Sequence, residues 1–212
     1  MKRILVVGAN GATGIEVVKI ALANGYRVSA LVRNKSSIEL RDSNLSVYEG
    51  DVLNITSFNT LLNEIDSVIS CLGQGSSTRA TELYSKGIRN IISAMSEAKV
   101  NRLVCISAGG LYLNDQMGFP VRLLTQAVIQ KIFEHPYRDL RLMEEITMTS
   151  EIDWTIVRPP MLTDGKLRSS YRTSVGGNIR KPFSISRKDL AHFLVQSIGD
   201  SATVRKIVEV SY

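Results

Sequence analysis

Short apolar runs rich in β-branched residues alternate along this chain with longer segments whose apolar residues recur at helical spacing. The runs predict seven strands: RILVVG, RVSALVR, LSVYEG, DSVISCL, RLVCISA, WTIVRP and Arg205–Val210. The segments between them predict helices over Gly14–Asn24, Asn54–Glu64, Thr78–Lys99, Val121–Phe133 and Arg138–Thr149, and from Ser186 onward. Strands that alternate with helices are typical of βαβ units, so the sequence predicts an α/β fold built on a parallel sheet.

The segment after the sixth strand is looser. Regular spacing returns at Ser186, which is followed three residues later by Asp189 in a capping-box arrangement that predicts a helix start. A chain of 212 residues that is 44% hydrophobic fits one domain with one sizeable core. We therefore expect a single domain over residues 1–212, in which residues 161–185 form a small substrate-side lobe.

The chain is basic, with a formal net charge of +6, which raises the possibility of a nucleic acid or another anionic ligand. Most of its cations are dispersed. The exception is Gly165–Lys188, which contains several arginines and lysines and no acidic residue. Because aromatic residues are not interleaved and no nucleic-acid motif accompanies the run, we expect it to be solvated or to line an opening for an anionic substrate, without binding nucleic acid.

The sequence predicts a cytoplasmic protein. Its start, MKRILVVG, is too short an apolar run for a signal peptide, and no later run approaches the roughly 20 apolar residues that a membrane span requires. Cys71 and Cys105 lie inside apolar strand-like runs. Buried free thiols are therefore expected at both positions, with no disulfide and no metal site.

The stretch VVGANGATGIE places Gly8, Gly11 and Gly14 directly behind the first strand and in front of the first helix. In such a unit the first glycine permits a tight turn, the second lets the backbone approach a pyrophosphate, and the third allows close packing of helix on strand. The stretch lacks the GK[ST] ending of a triphosphate-binding loop. It therefore favours a dinucleotide over ATP, and the alternative is a glycine-rich turn that binds nothing.

The segments VVGANGATG, EGDV, ISAGG and DWTIVRPPMLTDG together resemble the atypical, NAD(P)H-binding branch of the short-chain dehydrogenase/reductase superfamily. Proteins similar to flavin reductase/biliverdin-IXβ reductase and to NmrA share this layout over essentially the whole chain. The resemblance implies a Rossmann-type, doubly wound parallel sheet. It also implies a cofactor site formed by Gly8, Asn10, Gly11, Ala12, Thr13 and Gly14 in the loop, Asp51 and Val52 at the adenine, Leu72 and Gly73 along the cofactor, and Pro160 and Met161 at the nicotinamide.

Charge at the end of the second strand indicates which dinucleotide binds. An acidic residue there would hydrogen-bond the ribose 2′-hydroxyl of NAD, whereas an arginine accommodates the 2′-phosphate of NADP. This sequence has Arg33. A guanidinium can bind a phosphate through two charge-assisted hydrogen bonds, so the sequence predicts NADP(H). The alternative is a solvated arginine at a strand end.

The catalytic residues expected of the superfamily are incomplete. Ser107, at the end of RLVCIS, matches the serine that in the superfamily hydrogen-bonds the reacting group of the substrate beside the cofactor. The alternative is a serine that only ties down a turn at the strand end. None of the seven tyrosines has a lysine four residues on, and the nearest approach is Tyr137 with Arg141. In a Tyr-x-x-x-Lys pair the ammonium lowers the tyrosine pKa so that the phenol can donate a proton during hydride transfer. Arg141 lies one helical turn on and an arginine can stabilise a phenolate, so Tyr137 is a catalytic candidate beside Ser107. The alternative, which we expect, is that Tyr137 caps or packs its helix.

The absence of a Tyr-x-x-x-Lys pair fits some hydride acceptors better than others. An isolated ketone develops an alkoxide that needs a proton donor, whereas a flavin or quinone spreads the incoming charge over its rings and chiefly needs positioning. The sequence therefore predicts an NADPH-dependent oxidoreductase that transfers hydride to a flavin-like or quinone-like small molecule, as a monomer or homodimer. The alternative is a non-catalytic, NmrA-like redox sensor whose NADP(H) occupancy regulates a protein partner.

Overall fold

The computed structural model describes residues 2–75, 77–113, 122–123 and 125–212. The strands are β1 (Arg3–Val7), β2 (Arg27–Val32), β3 (Leu45–Glu49), β4 (Ser67–Ser70), β5 (Arg102–Ile106), β6 (Asp153–Arg158), β7 (Met161–Thr163), β8 (Arg172–Val175), β9 (Ser184–Ser186) and β10 (Lys206–Ser211). The α-helices are α1 (Gly14–Ala23), α2 (Leu83–Glu97), α3 (Gln130–Ile132), α4 (Glu134–Met148) and α5 (Arg187–Ser197).

Eight strands form one sheet in the order β3-β2-β1-β4-β5-β6-β10-β8. All neighbours in it are parallel except β8, which runs antiparallel to β10 at the edge. The chain moves outward from β1 to β3 and then returns to place β4 on the other side of β1. This arrangement confirms the predicted Rossmann-type, doubly wound sheet, and its order reverses between β1 and β4, where such folds bind ligands.

The core lies on both faces of the sheet because successive strand residues point to opposite sides. In β1, Ile4 joins the cluster that contains α1 and α5, whereas Leu5 joins the cluster that contains α2 and α4. Both side chains are fully buried. The apolar stripe predicted for α2 is also buried at Ile88, Ile91 and Met95. Burial on both faces explains why β1 is a continuous apolar run rather than an alternating one.

The sequence predicts a helix over Asn54–Glu64, and this prediction is wrong because no α-helix forms there. The structure has two 3₁₀ segments there, Ile55–Ser57 and Asn59–Glu64. The hydroxyl of Ser57 donates to the carbonyl oxygen of Asn54 at 2.7 Å. Short polar side chains that bond to nearby backbone compete with the hydrogen bonds of an α-helix. The apolar residues keep their helical spacing here without forming a regular helix.

The other helices differ from prediction mainly at their ends. α2 begins at Leu83 rather than Thr78, and α4 begins before its predicted start, so that Tyr137 lies in its first turn. The helix predicted over Val121–Phe133 falls partly outside the described residues, and its described part contains a π-helical stretch, Thr125–Ile129, before α3. No helix among the described residues is both long and apolar enough to cross a membrane.

The segment after β6 contains three short strands that sequence spacing does not reveal. β7 pairs parallel with β9 in a separate two-stranded sheet, which places Thr163 opposite Ser186. The helix start predicted at Ser186 is confirmed, since its hydroxyl accepts a hydrogen bond from the Asp189 N–H at 3.0 Å. Strands of three or four residues are too short to show a period. The role of residues 161–185 as a substrate-side lobe stays a prediction.

Cys71 and Cys105 are both free and buried, which confirms that these two thiols are buried. Burial raises the pKa of the Cys71 thiol to about 12, and it raises that of Cys105 as well. Thiols with so high a pKa are poor nucleophiles near neutral pH, so these side chains act as small apolar groups in the core.

Candidate functional site

A cleft of about 590 Å³ opens at the carboxyl ends of β1, β2 and β4, where the strand order reverses. It draws its walls from loops that are far apart in the chain. Ten predicted site residues line it: Gly8, Asn10, Gly11, Ala12, Thr13, Arg33, Asp51, Val52, Leu72 and Gly73. The structure therefore brings these residues together, and their roles toward a ligand stay predictions.

The glycine loop between β1 and α1 leaves no room for side chains at two of its positions. Gly8 has a φ of +73°, and a Cβ there would lie 2.7 Å from the carbonyl oxygen of Cys71. A Cβ at Gly14 would lie 2.1 Å from the carbonyl oxygen of Gly8. Gly8 thus permits the turn and contact with β4, whereas Gly14 lets α1 begin directly against the turn.

Gly11 differs from the other two glycines because it is exposed in the cleft. Its N–H donates to the carbonyl oxygen of Gly8 at 3.0 Å, and its own carbonyl accepts from Ile15 at 2.9 Å. Thr13 caps α1 without a side-chain hydrogen bond to the helix. The first turn of a helix presents backbone N–H groups and the positive end of the dipole, and here the cap residue Thr13 lines the cleft. This arrangement fits the diphosphate of a dinucleotide.

Arg33 follows β2 and lines the same cleft. The two residues that follow it form hydrogen bonds outside the cleft. The Asn34 side chain accepts a hydrogen bond from the Ser36 N–H, and the Lys35 N–H donates one to the Glu49 carboxylate. The Arg33 side chain is exposed and makes no hydrogen bond or ion pair with any described residue. Its charge is therefore available to an anion in the cleft.

The loop after β3 presents Asp51 and Val52 to the cleft. The Asp51 N–H donates to the hydroxyl of Ser57 at 2.9 Å, and the Asp51 carboxylate accepts from the Leu53 N–H at 2.9 Å. These bonds fix the turn that the first 3₁₀ segment closes. Beyond β4, Leu72 and Gly73 continue the cleft wall toward the ends of β5 and β7, from which Ile106 and Leu162 also line it.

Five predicted residues do not line the cleft: Gly14, Ser107, Tyr137, Pro160 and Met161. Gly14 lies buried behind the loop. Ser107 is 7% exposed, and its hydroxyl has no hydrogen-bond partner among the described residues. Its backbone N–H donates to the Val157 carbonyl at 2.8 Å. A buried hydroxyl without a partner is costly, so Ser107 retains a free donor and acceptor beside the end of β6.

Tyr137 packs its phenol against the loop that follows Ser107. A Cβ at Gly110 would lie 2.7 Å from the Tyr137 hydroxyl oxygen. Burial raises the pKa of Tyr137, and the charge of Arg141 opposes that effect without overcoming it. The Arg141 guanidinium donates to the Leu111 carbonyl at 3.0 Å. Tyr137 is thus a neutral phenol that packs on its helix, without a cation held against its oxygen.

A buried ion pair lies next to this loop. Arg158, the last residue of β6, donates from Nε to Glu144 Oε1 at 2.9 Å and from Nη2 to Oε2 at 2.5 Å. Glu144 is fully buried on α4, and the Tyr112 ring centroid lies 4.4 Å from the Arg158 guanidinium carbon. This bidentate pair joins α4 to the strand end that leads into Pro159 and Pro160.

Leu162 and Arg187 line the cleft although sequence reasoning assigned neither of them to it. Arg187 opens α5 and forms an ion pair with Asp164 at 2.6 Å. The predicted cap at Ser186 could have identified Arg187 as the first helical residue. Nothing local in the sequence shows that β7 and β9 pair, and this pairing is what brings both residues to the cleft.

Asp189 anchors the basic segment beside Arg187. Its buried carboxylate accepts hydrogen bonds from the backbone N–H groups of Arg168 at 2.9 Å and Ser169 at 2.7 Å, and from the Tyr212 hydroxyl at 2.5 Å. Burial alone would raise the pKa of Asp189, but these hydrogen bonds, with one from Ser186, hold it below its ordinary value. The carboxylate therefore stays charged and fixes the backbone of residues 168–169 against α5.

A doubly wound sheet with a glycine loop between its first strand and helix, next to a cleft at the switch point, defines a dinucleotide-binding protein. The sequence model of the NAD(P)H-binding family matches residues 8–201, and the chain belongs to that family. This result confirms the family assigned from the sequence.

Individual proteins show the same relationship. The chain is 26% identical to the uncharacterized protein YwnB of Bacillus subtilis over 172 residues, which cover 80% of this chain and 78% of that protein. It is 27% identical to the photosystem II assembly factor Ycf39 of Guillardia theta over 218 residues, which cover 97% of this chain and 63% of that protein. A short-chain dehydrogenase/reductase of Veillonella parvula, solved in complex with NADP, superimposes with a TM-score of 0.79 at 16% identity, over 100% of this chain and 94% of that one.

Proposed function

We propose that this protein is an NADPH-dependent oxidoreductase that transfers hydride to a flavin-like or quinone-like acceptor. The observation that carries the proposal is the cleft, which collects the glycine loop, Arg33, Asp51, Val52, Leu72 and Gly73 from four separate loops. Its place at the switch point and its mixture of backbone groups and apolar side chains suit a dinucleotide. Membership of the NAD(P)H-binding family supports the same cofactor class.

Arg33 supports NADP(H) over NAD(H). Its guanidinium lines the cleft at the end of β2 and has no carboxylate partner among the described residues. A 2′-phosphate at that position would supply the missing anion, whereas a 2′-hydroxyl would leave the charge exposed to water. The NADP in the similar Veillonella structure fits this preference.

When bound, the nicotinamide ring supplies the hydride. The residues of this chain would position that ring and the acceptor. We place the ring beside Gly73, Pro160 and Met161, with residues 161–185 as a lobe on the substrate side. Ser107 would donate a hydrogen bond to the acceptor, because its buried hydroxyl has no partner among the described residues. A conjugated acceptor needs this orientation more than it needs a proton from Tyr137.

The cofactor preference is tested by titrating NADPH and NADH against wild type and Arg33→Asp. We expect wild type to prefer NADPH and the variant to lose that preference, because a carboxylate repels the 2′-phosphate. Arg41→Asp is the matched control, since Arg41 is exposed and does not line the cleft. Equal affinity of wild type for the two cofactors would refute the assignment.

A redox sensor is the second candidate, and similarity to a photosystem II assembly factor favours it. The neutral, packed Tyr137 is equally compatible with binding alone. When flavins, quinones and dyes are supplied, a reductase consumes NADPH, and the absorbance at about 340 nm falls. Binding without turnover across that panel, together with different partner capture by the NADP⁺ and NADPH forms, would favour the sensor. A cytoplasmic location and a monomeric or homodimeric state remain predictions from the sequence.

A further inference from the structure

Arg187 is the second cation of the cleft. Among the described residues that line the cleft, Arg33 and Arg187 are basic and Asp51 is the one acidic residue. The two arginines come from different elements, since Arg33 follows β2 and Arg187 follows β9. They therefore belong to separate parts of the cleft lining and can serve separate anionic groups of one occupant.

The small β7–β9 sheet explains the position of Arg187. Thr163 lies opposite Ser186 in its parallel register, so the residues that follow them, Asp164 and Arg187, lie side by side. Their side chains form an ion pair at 2.6 Å, in which Arg187 is 26% exposed and Asp164 is 87% exposed. The carboxylate thus approaches the guanidinium from the solvent side. Such pairs contribute little, because water competes for both partners.

We infer that Arg187 binds the diphosphate of the dinucleotide and that Asp164 is the anion it exchanges on binding. This inference rests on the proposed cofactor. A guanidinium binds phosphate through two parallel charge-assisted hydrogen bonds, and a diphosphate carries more charge than one exposed carboxylate. The backbone N–H groups of the glycine loop are neutral donors, so Arg187 supplies the charge that they lack. The β7–β9 pairing holds the backbones of Thr163 and Ser186 together, directly before Asp164 and Arg187, so the exchange needs only side-chain rotation.

The test distinguishes the two arginines by their effects on the affinities for NADPH and NADH. NADPH and NADH are titrated, without an acceptor, against wild type, Arg187→Gln and Arg33→Gln. Because both cofactors carry a diphosphate, we expect Arg187→Gln to weaken both by about tenfold or more. Arg33→Gln should weaken NADPH alone. Asp164→Asn should strengthen both by up to about fivefold, since it removes the competing anion.

Arg180→Gln is the matched control, because Arg180 is an exposed arginine of the same basic segment that does not line the cleft. It should bind both cofactors as wild type does. If Arg187→Gln behaves like this control, the inference is wrong. If Asp164→Asn weakens binding, Asp164 positions Arg187 rather than competing for it, and the exchange is refuted.

A phosphate on the acceptor would offer Arg187 the same chemistry. Riboflavin and flavin mononucleotide are therefore compared as acceptors or competitors. Loss of a preference for flavin mononucleotide in Arg187→Gln, with unchanged affinity for both dinucleotides, would assign the arginine to the acceptor and overturn the inference. Failure of wild type to bind either dinucleotide would instead refute the proposed function, and the inference with it.

Discussion

Replacing Glu144 with glutamine tests whether the buried ion pair holds α4 against the end of β6. The Glu144 side chain is 0% exposed and that of Arg158 is 17% exposed. Glutamine keeps one acceptor oxygen but leaves the guanidinium charge without its counter-ion. Removing one partner of a buried pair costs about 3–5 kcal/mol, and we expect about 3 because Arg158 retains some water. For a chain of this length that corresponds to a melting temperature lower by about 6–12 °C.

Thermal unfolding followed by circular dichroism measures the change. Glu134→Gln is the control, since Glu134 pairs with Arg138 on the same helix at 3.1 Å but both side chains are exposed. That change should cost no more than about 0.5 kcal/mol. The double variant Glu144→Leu, Arg158→Met removes both charges and should recover most of the loss. If Glu144→Gln melts within about 2 °C of the control, the pair does not stabilise the fold as argued.

Three further changes have defined outcomes. Gly14→Ala places a Cβ 2.1 Å from the Gly8 carbonyl oxygen, so NADPH titration should show affinity at least about tenfold lower; wild-type affinity would contradict the packing argument. The lowered pKa of Asp189 contributes stability that is present near neutral pH and lost as pH falls through that pKa. Asp189→Asn should therefore lower the urea midpoint near neutral pH, with a smaller difference in acid, and an equal difference at both pH values would contradict this. Tyr137→Phe should retain turnover with a quinone to within about tenfold, because its raised pKa makes the phenol a weak acid; a loss of about a hundredfold would identify it as the proton donor.

The central strands could be predicted because burial on both faces makes them continuous apolar runs. Ile4 and Leu5 point to opposite clusters, yet both are 0% exposed. β7 lacks this signature, since Met161 is 56% exposed. The segment around Ser57 shows the opposite problem. Its apolar spacing is helical, but hydroxyl and amide side chains form hydrogen bonds with the backbone groups that an α-helix would use.

The cleft could be predicted where its chemistry is local and not where it depends on distant pairing. Gly8, Gly11 and Gly14 lie within one turn, and strand, loop and helix follow in order along the chain. Arg187 reaches the cleft only because β7 pairs with β9, more than 20 residues further along the chain. Ser107 could be placed at a strand end, but its lack of a partner among the described residues depends on how the loops of β5 and β6 pack together.

The two free cysteines can report transient opening of the sheet. Cys71 lines the cleft directly after β4, and Cys105 lies beside Ser70 in the register of β5. Burial raises the pKa of both thiols, so that almost none of either is a thiolate at neutral pH. Cys105 is 1% exposed and does not line the cleft. Alkylating reagents should therefore modify Cys105 only when the central strands separate, and its labelling rate would measure how often they do so in unmutated protein.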